Sequence, residues 1–153
     1  MEFQELLAPS AVALDVPAAT QRAVFSTAAG LLAGEAGVAE EAIVAALSER
    51  ERLGTTGFGD GTAIPHGRVP GLQRMVAAVV RTSEPVDWAA VDALPVDLVV
   101  ALLGPAEAGA DHLKALALVS RTLRDRALVE KMRGAVEPGA LWSLLTGPQR
   151  RAA

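Results

Sequence analysis

A layered α/β domain with a mixed sheet is the fold the sequence predicts, and three observations predict it. Helix-spaced apolar residues occur before, between and after the strand candidates. Two β-branched apolar runs, Met75–Val80 and Val96–Leu103, have Pro70-Gly71 before the first and Gly104-Pro105 after the second, and read as buried strands. The 153 residues, 51% hydrophobic and 21% charged, fill one core and are too few for two ordinary domains, so residues 1–153 read as a single domain. Aromatics supply only 3%, which leaves the core to Ala, Val, Leu and Ile.

Taken in order, Asp15-Val16-Pro17 reads as a helix start, because proline suits a first helical position. Val24, Ala28, Leu31 and Leu32 follow at helical spacing, and Gly34 is the expected stop. A second helix is predicted from Glu40 to about Arg52, with Ile43, Val44 and Leu47 as its apolar stripe. The segment Gly54–Thr62 holds four glycines, too many for a helix interior, and reads as a tight turn or hairpin leading to Ala63-Ile64-Pro65-His66. Between the two strands, Glu84–Leu94 is expected to be irregular with a short helix. Asp111 to about Asp125 reads as a helix, followed by short helices near Ala127–Arg133 and Pro138–Leu145, with Gln149–Ala153 frayed.

Composition excludes several chemistries. The net charge is -4 and no basic block occurs, which argues against nucleic acid. There is no Cys, so disulfides, thiolate nucleophiles and Cys-ligated zinc are excluded. The acidic start Met1-Glu2-Phe3-Gln4-Glu5 is unlike a secretory signal, and no apolar run approaches the ~20 residues of a membrane span. A cytoplasmic protein is expected.

Candidate nucleophiles and bases are few: two His, two Lys and no Tyr. His66 follows a glycine-rich stretch and Pro65, which would seat it at a stiff strand end beside unencumbered amides suited to a phosphoryl group. A surface-loop histidine after an ordinary glycine turn is the alternative. His112 lies on the line 112, 116, 119, 123, either as a second site histidine or as cover for the core edge. Arg50 shares a helix face with Ile43 and Leu47. It would aim a guanidinium at a phosphoryl group or simply satisfy the last helix carbonyls. Glu49, Glu51 and Arg52 read as solvated charges, and Trp88 and Trp142 as packing residues. The dinucleotide fingerprint, the Walker loop and the nucleophile elbow are all absent, and two lone histidines are weak grounds for a metal site.

The stretch Glu49-Arg50-Glu51-Arg52-Leu53-Gly54-Thr55-Thr56-Gly57-Phe58-Gly59-Asp60-Gly61-Thr62-Ala63-Ile64-Pro65-His66-Gly67 closely resembles the active-site segment of type-2 IIA domains. These belong to the bacterial phosphoenolpyruvate-dependent phosphotransferase system, fructose/mannitol class. Ala108-Gly109-Ala110-Asp111-His112-Leu113-Lys114-Ala115-Leu116-Ala117 looks like that family's second signature. Within the family the chain looks most like the free-standing nitrogen-regulatory IIA proteins.

The resemblance implies a mannitol IIA-like fold, a mixed, roughly five-stranded sheet flanked by helices. It implies that His66 accepts a phosphoryl group at Nε2 from an HPr-like phosphocarrier, that His112 is the neighbouring active-site histidine, and that Arg50 lies near the phosphoryl group. Loop residues Thr56, Gly57, Gly59, Gly61 and Gly67 are expected to supply phosphate-facing groups. Neither a cofactor nor a metal is expected. An apolar docking surface for the donor is expected around Phe58, Ile64 and Val69, which would otherwise be core. Regulated partners of the phosphorylated or free form are expected: a transporter, a kinase or a metabolic enzyme. The alternatives are a sugar-specific IIA component that passes phosphate to a IIB domain, and a non-catalytic binding module.

Overall fold

Six helices flank one six-stranded mixed sheet in the computed structural model, which describes residues 1–147. In chain order these are α1 (Phe3–Leu6), β1 (Leu7–Val16), α2 (Gln21–Ala36), α3 (Glu40–Arg52), β2 (Gly57–Gly59), β3 (Thr62–Ala63), β4 (His66–Arg68), β5 (Val76–Val86), β6 (Val96–Gly104), α4 (Ala110–Arg124), α5 (Arg126–Gly134) and α6 (Pro138–Thr146). The frayed tail expected at Gln149–Ala153 lies outside the described residues.

The sheet runs β1-β5-β6-β3-β2, with β4 also on β6. β1 is parallel to β5, β5 antiparallel to β6, and β3 and β4 parallel to β6. β3 pairs at Leu98–Val99 and β4 at Leu102–Gly104, so the two are one line of chain, broken at Ile64-Pro65. Proline has no N–H to give a ladder. Its carbonyl still accepts from Leu102 N at 2.9 Å, while the Ile64 N–H turns to Thr56 O at 3.0 Å. The expected five strands become six because of that break. The peptide bond before Pro65 is trans.

Central strands β5 and β6 carry the core: Val76–Val80 and Leu98–Leu103 are all at most 1% exposed. Such continuous burial explains their unbroken apolar sequence. α2 packs on β5 and β1, α3 on β4, α4 on β6 and α6 on β1.

The amino-terminal region departs from expectation. Asp15-Val16 ends β1 rather than starting a helix, and Asp15 takes a left-handed φ of 53°. α2 begins later, where the Thr20 hydroxyl accepts from Ala23 N at 3.1 Å. It ends at Gly37, not Gly34, because Gly37 adopts φ 71° and returns its N–H to Ala33 O. β5 runs past its apolar segment to Val86, and residues 87–95 are irregular without the expected helix. That segment is anchored by Trp88, 2% exposed and edge-on to Phe25 at 5.7 Å.

Candidate active site

His66 opens β4 and is half-buried. Its Nδ1 lies 2.8 Å from Ile64 O. A carbonyl can only accept, so Nδ1 carries the proton and Nε2 presents a bare lone pair. Burial pushes its pKa below the usual 6.5. The Ile64 bond opposes this, the Arg50 charge adds to it, and the Glu51 charge opposes it.

His112 sits in the first turn of α4, 7% exposed. The two imidazole centroids are 5.7 Å apart, with planes tilted 57°. Burial lowers the His112 pKa too, helped by His66 and then Arg68. Two neutral rings side by side avoid the repulsion that two imidazolium ions would suffer. His112 Nδ1 is buried without a hydrogen-bond partner.

Arg50 occupies the last turn of α3. Its Nη1 donates to Gly54 O at 2.9 Å, so it satisfies a carbonyl just beyond the helix end while its charge still reaches His66. The structure therefore brings His66, His112 and Arg50 together.

The loop residues divide. Thr56 is buried and fully engaged. Its N–H donates to Glu51 Oε2 at 2.8 Å, its hydroxyl donates to Glu51 Oε1 at 2.5 Å, and the hydroxyl accepts from Trp88 Nε1 at 3.2 Å. No donor of Thr56 is left for a phosphate. The Gly57 N–H goes to Thr55 Oγ1 at 3.0 Å. Gly59 and Gly61 turn the β2–β3 hairpin at φ 104° and 79°, conformations that favour glycine. The hairpin tip is pinned from both sides: Asp60 N donates to Asp92 Oδ2 at 2.9 Å, and Arg133 Nη2 donates to Asp60 O at 2.5 Å. Gly67 lets β4 approach α3, since a Cβ there would sit 3.1 Å from Ala46 O.

Ile64 and Val69 are 5% and 1% exposed, so they belong to the core and not to a docking surface. Phe58 is half-buried under the Arg124 guanidinium, 5.9 Å from its ring centroid. The apolar side chains open to solvent near the site are instead Leu113, beside His112, and Leu53, beside Gly54. Leu113 falls off the inward line of α4, which was the available signal.

Two charged residues were missed. Glu51 is half-buried and bonded to Thr56, unlike Glu49 and Arg52, which pair at 3.1 Å in solvent as expected. Arg68 stands two residues after His66, hence on the same face of β4, and its Nη1 donates to Ala106 O at 3.2 Å. It thereby ties β4 to the loop that leads into α4.

Chemically, the arrangement offers an unprotonated ring nitrogen with a second imidazole beside it, the Arg50 charge acting on the first ring and the Arg68 charge on the second. That suits a nucleophile that takes up an anionic group. Among the described residues no three His, Asp or Glu side chains gather to hold a metal ion, and no helix is long and apolar enough to cross a membrane.

A model of the family described as "Phosphoenolpyruvate-dependent sugar phosphotransferase system, EIIA 2" matches residues 5–147. The chain is 39% identical over 153 residues to a nitrogen regulatory protein of Bradyrhizobium diazoefficiens, covering 100% of both. Nitrogen regulatory protein IIA-Ntr from Neisseria meningitidis superposes with a TM-score of 0.87 at 33% identity, over 93% of this chain and 97% of that one. IIA mannitol from Escherichia coli shares the fold, with a TM-score of 0.77 at 20% identity over 91% of this chain and 98% of that one.

Proposed function

The chain belongs to the EIIA 2 family of the phosphoenolpyruvate-dependent sugar phosphotransferase system, and we propose that it is a histidine phosphocarrier whose acceptor is His66 Nε2. The observation that carries this reading is the Nδ1–Ile64 O bond of 2.8 Å, which fixes the tautomer with Nε2 free. In the transfer, the Nε2 lone pair attacks the phosphorus of an HPr-like donor's phosphohistidine. The donor's N–P bond breaks, and its nitrogen keeps the electron pair. His66 retains its Nδ1 proton throughout, so no base is needed. Most of the acceleration then comes from positioning and charge stabilisation. Arg50 and Arg68 face the charge on the equatorial oxygens, and His112 is a neutral hydrogen-bonding neighbour. The exposed Leu113 and Leu53 offer the donor an apolar contact.

The similarity to nitrogen regulatory proteins supports a regulatory output. A phosphoryl group adds a charge of roughly -1.5 to -2, on the figures for other phosphoresidues. Against a net charge of -4, that changes which partner surface the site attracts.

The test is incubation with phosphoenolpyruvate, the system's first enzyme and its small carrier, followed by intact mass spectrometry. One added, acid-labile phosphoryl group, absent from His66→Ala, is expected. No addition, with the carrier shown active on another IIA domain, would overturn the reading. Onward transfer to a IIB domain would mark a sugar-specific component instead.

A further inference from the structure

An unbroken path of hydrogen bonds leads from the Glu51 carboxylate to the His66 ring. Both Glu51 oxygens are taken by Thr56, through its N–H at 2.8 Å and its hydroxyl at 2.5 Å. The Thr56 carbonyl accepts the Ile64 N–H at 3.0 Å. The Ile64 carbonyl accepts His66 Nδ1–H at 2.8 Å. Each bond fixes the backbone that makes the next one. Little slack remains along the path, because Pro65 confines Ile64 to extended geometry.

The path has a fixed polarity. The Thr56 hydroxyl accepts from Trp88 Nε1 at 3.2 Å, so its own proton goes to Glu51. Trp88 is in turn held by its carbonyl, which accepts from Thr55 Oγ1 at 3.2 Å. Only an acceptor at position 51 satisfies both Thr56 donors at once. A carboxylate does so, whereas an amide has a single acceptor oxygen and would turn its NH2 towards one of the two Thr56 donors. Beside a site built to receive an anion, a fixed negative charge needs a reason, and the path to His66 supplies one.

We propose that Glu51 is a positioning residue for His66, acting through Thr56 and the Ile64 backbone to hold the Nδ1–H tautomer and ring orientation that expose Nε2. This rests on His66 being the phosphoryl acceptor. The charged and titratable groups around His66 are Arg50 and Glu51 from α3, Arg68 on its own strand and His112 from α4. Removing the Glu51 charge leaves Arg50 unopposed on the same helix.

The experiment is a 15N imidazole titration of the unphosphorylated protein, comparing wild type with Glu51→Gln, Thr56→Val and the exposed control Glu49→Gln. Thr56→Val keeps the backbone bond to Glu51 and loses the hydroxyl, so it reads the path even if Glu51→Gln fails to fold. Expected are a dominant Nδ1–H tautomer for His66 in wild type, a mixed tautomer population with a lower His66 pKa in Glu51→Gln, an intermediate tautomer mixture in Thr56→Val, and wild-type behaviour in Glu49→Gln. Phosphoryl acceptance by Glu51→Gln should slow at least ~10-fold. A wild-type His66 tautomer and titration in folded Glu51→Gln, or a wild-type tautomer in Thr56→Val where only that variant folds, would overturn the proposal and leave the phosphocarrier reading standing. A wild-type protein that never accepts phosphoryl would sink that reading instead, whatever the titration shows.

Discussion

His66 and His112 present their rings to each other across 5.7 Å, one from the start of β4 and the other from the first turn of α4. Both are held below the ordinary histidine pKa of 6.5, chiefly by burial, and the nearness of His66 adds to the depression of His112. The Arg50 charge acts on His66 and the Arg68 charge on His112, so each ring of the pair has a guanidinium that disfavours its protonation.

The pH dependence follows from that. The unfolded chain takes up these protons near pH 6.5, and the folded protein only at lower pH. Protonation thus favours unfolding, so stability is full above pH 6.5 and is lost as pH falls through the depressed folded values. Denaturant melts at a series of pH values should show this loss, and His112→Asn should flatten it. The rate of phosphoryl acceptance should hold from pH 8 to below 6.5 before it declines.

Arg68 and Arg50 should separate in kinetics. Arg50→Gln removes the guanidinium whose charge reaches His66 and should slow acceptance by ~100-fold. Arg68→Gln should slow it by ~10-fold and also raise the His112 pKa, since Arg68 helps to hold that pKa down. Single-turnover labelling and a ring titration of each variant check both effects.

Gly67→Ala should cost about 1–3 kcal/mol of stability and slow acceptance as well. The new Cβ would meet Ala46 O at 3.1 Å and its Cβ at 3.2 Å, pushing β4 off α3 and so His66 away from Arg50. Urea unfolding and labelling rates together distinguish this from a loss of stability alone.

Arg81 holds the far side of the domain. Its Nη1 donates to Met132 O, Arg133 O and Ala135 O at 2.9, 3.0 and 2.7 Å, closing the carboxyl end of α5 onto β5. Arg81→Met strands these carbonyls and should destabilise the fold by about 2–4 kcal/mol, read by urea unfolding, with His66 labelling retained while the protein is folded.

Much of this was legible in the sequence because it is local. Glu40–Arg52 is a helix as its apolar stripe predicts, and the Gly54–Thr62 stretch becomes a turn and hairpin because left-handed Gly59 and Gly61 demand it. His66, His112 and Arg50 were all named from the sequence, and the fold brings them together. What escaped is non-local. β1 contains Pro9 and a left-handed Asp15 just before its last residue, so its pattern is poor for a strand; it forms because β5 pairs it and Trp142 Nε1 donates to Leu7 O at 2.8 Å. Glu51 looked solvated because its partners Thr56 and Trp88 become neighbours only once the chain has folded. Ile64 and Val69 looked available for docking because their burial under neighbouring elements leaves no mark on the local sequence.

The central claim is that Nε2 of His66, with Nδ1 protonated, takes the phosphoryl group. Long-range 1H–15N correlation on the enzymatically phosphorylated, 15N-histidine-labelled protein tests it most directly. The account predicts phosphorus coupling at Nε2 of His66, a proton still on Nδ1, and a His112 ring that stays unphosphorylated. Phosphorylation at Nδ1 of His66, or on His112, would contradict it.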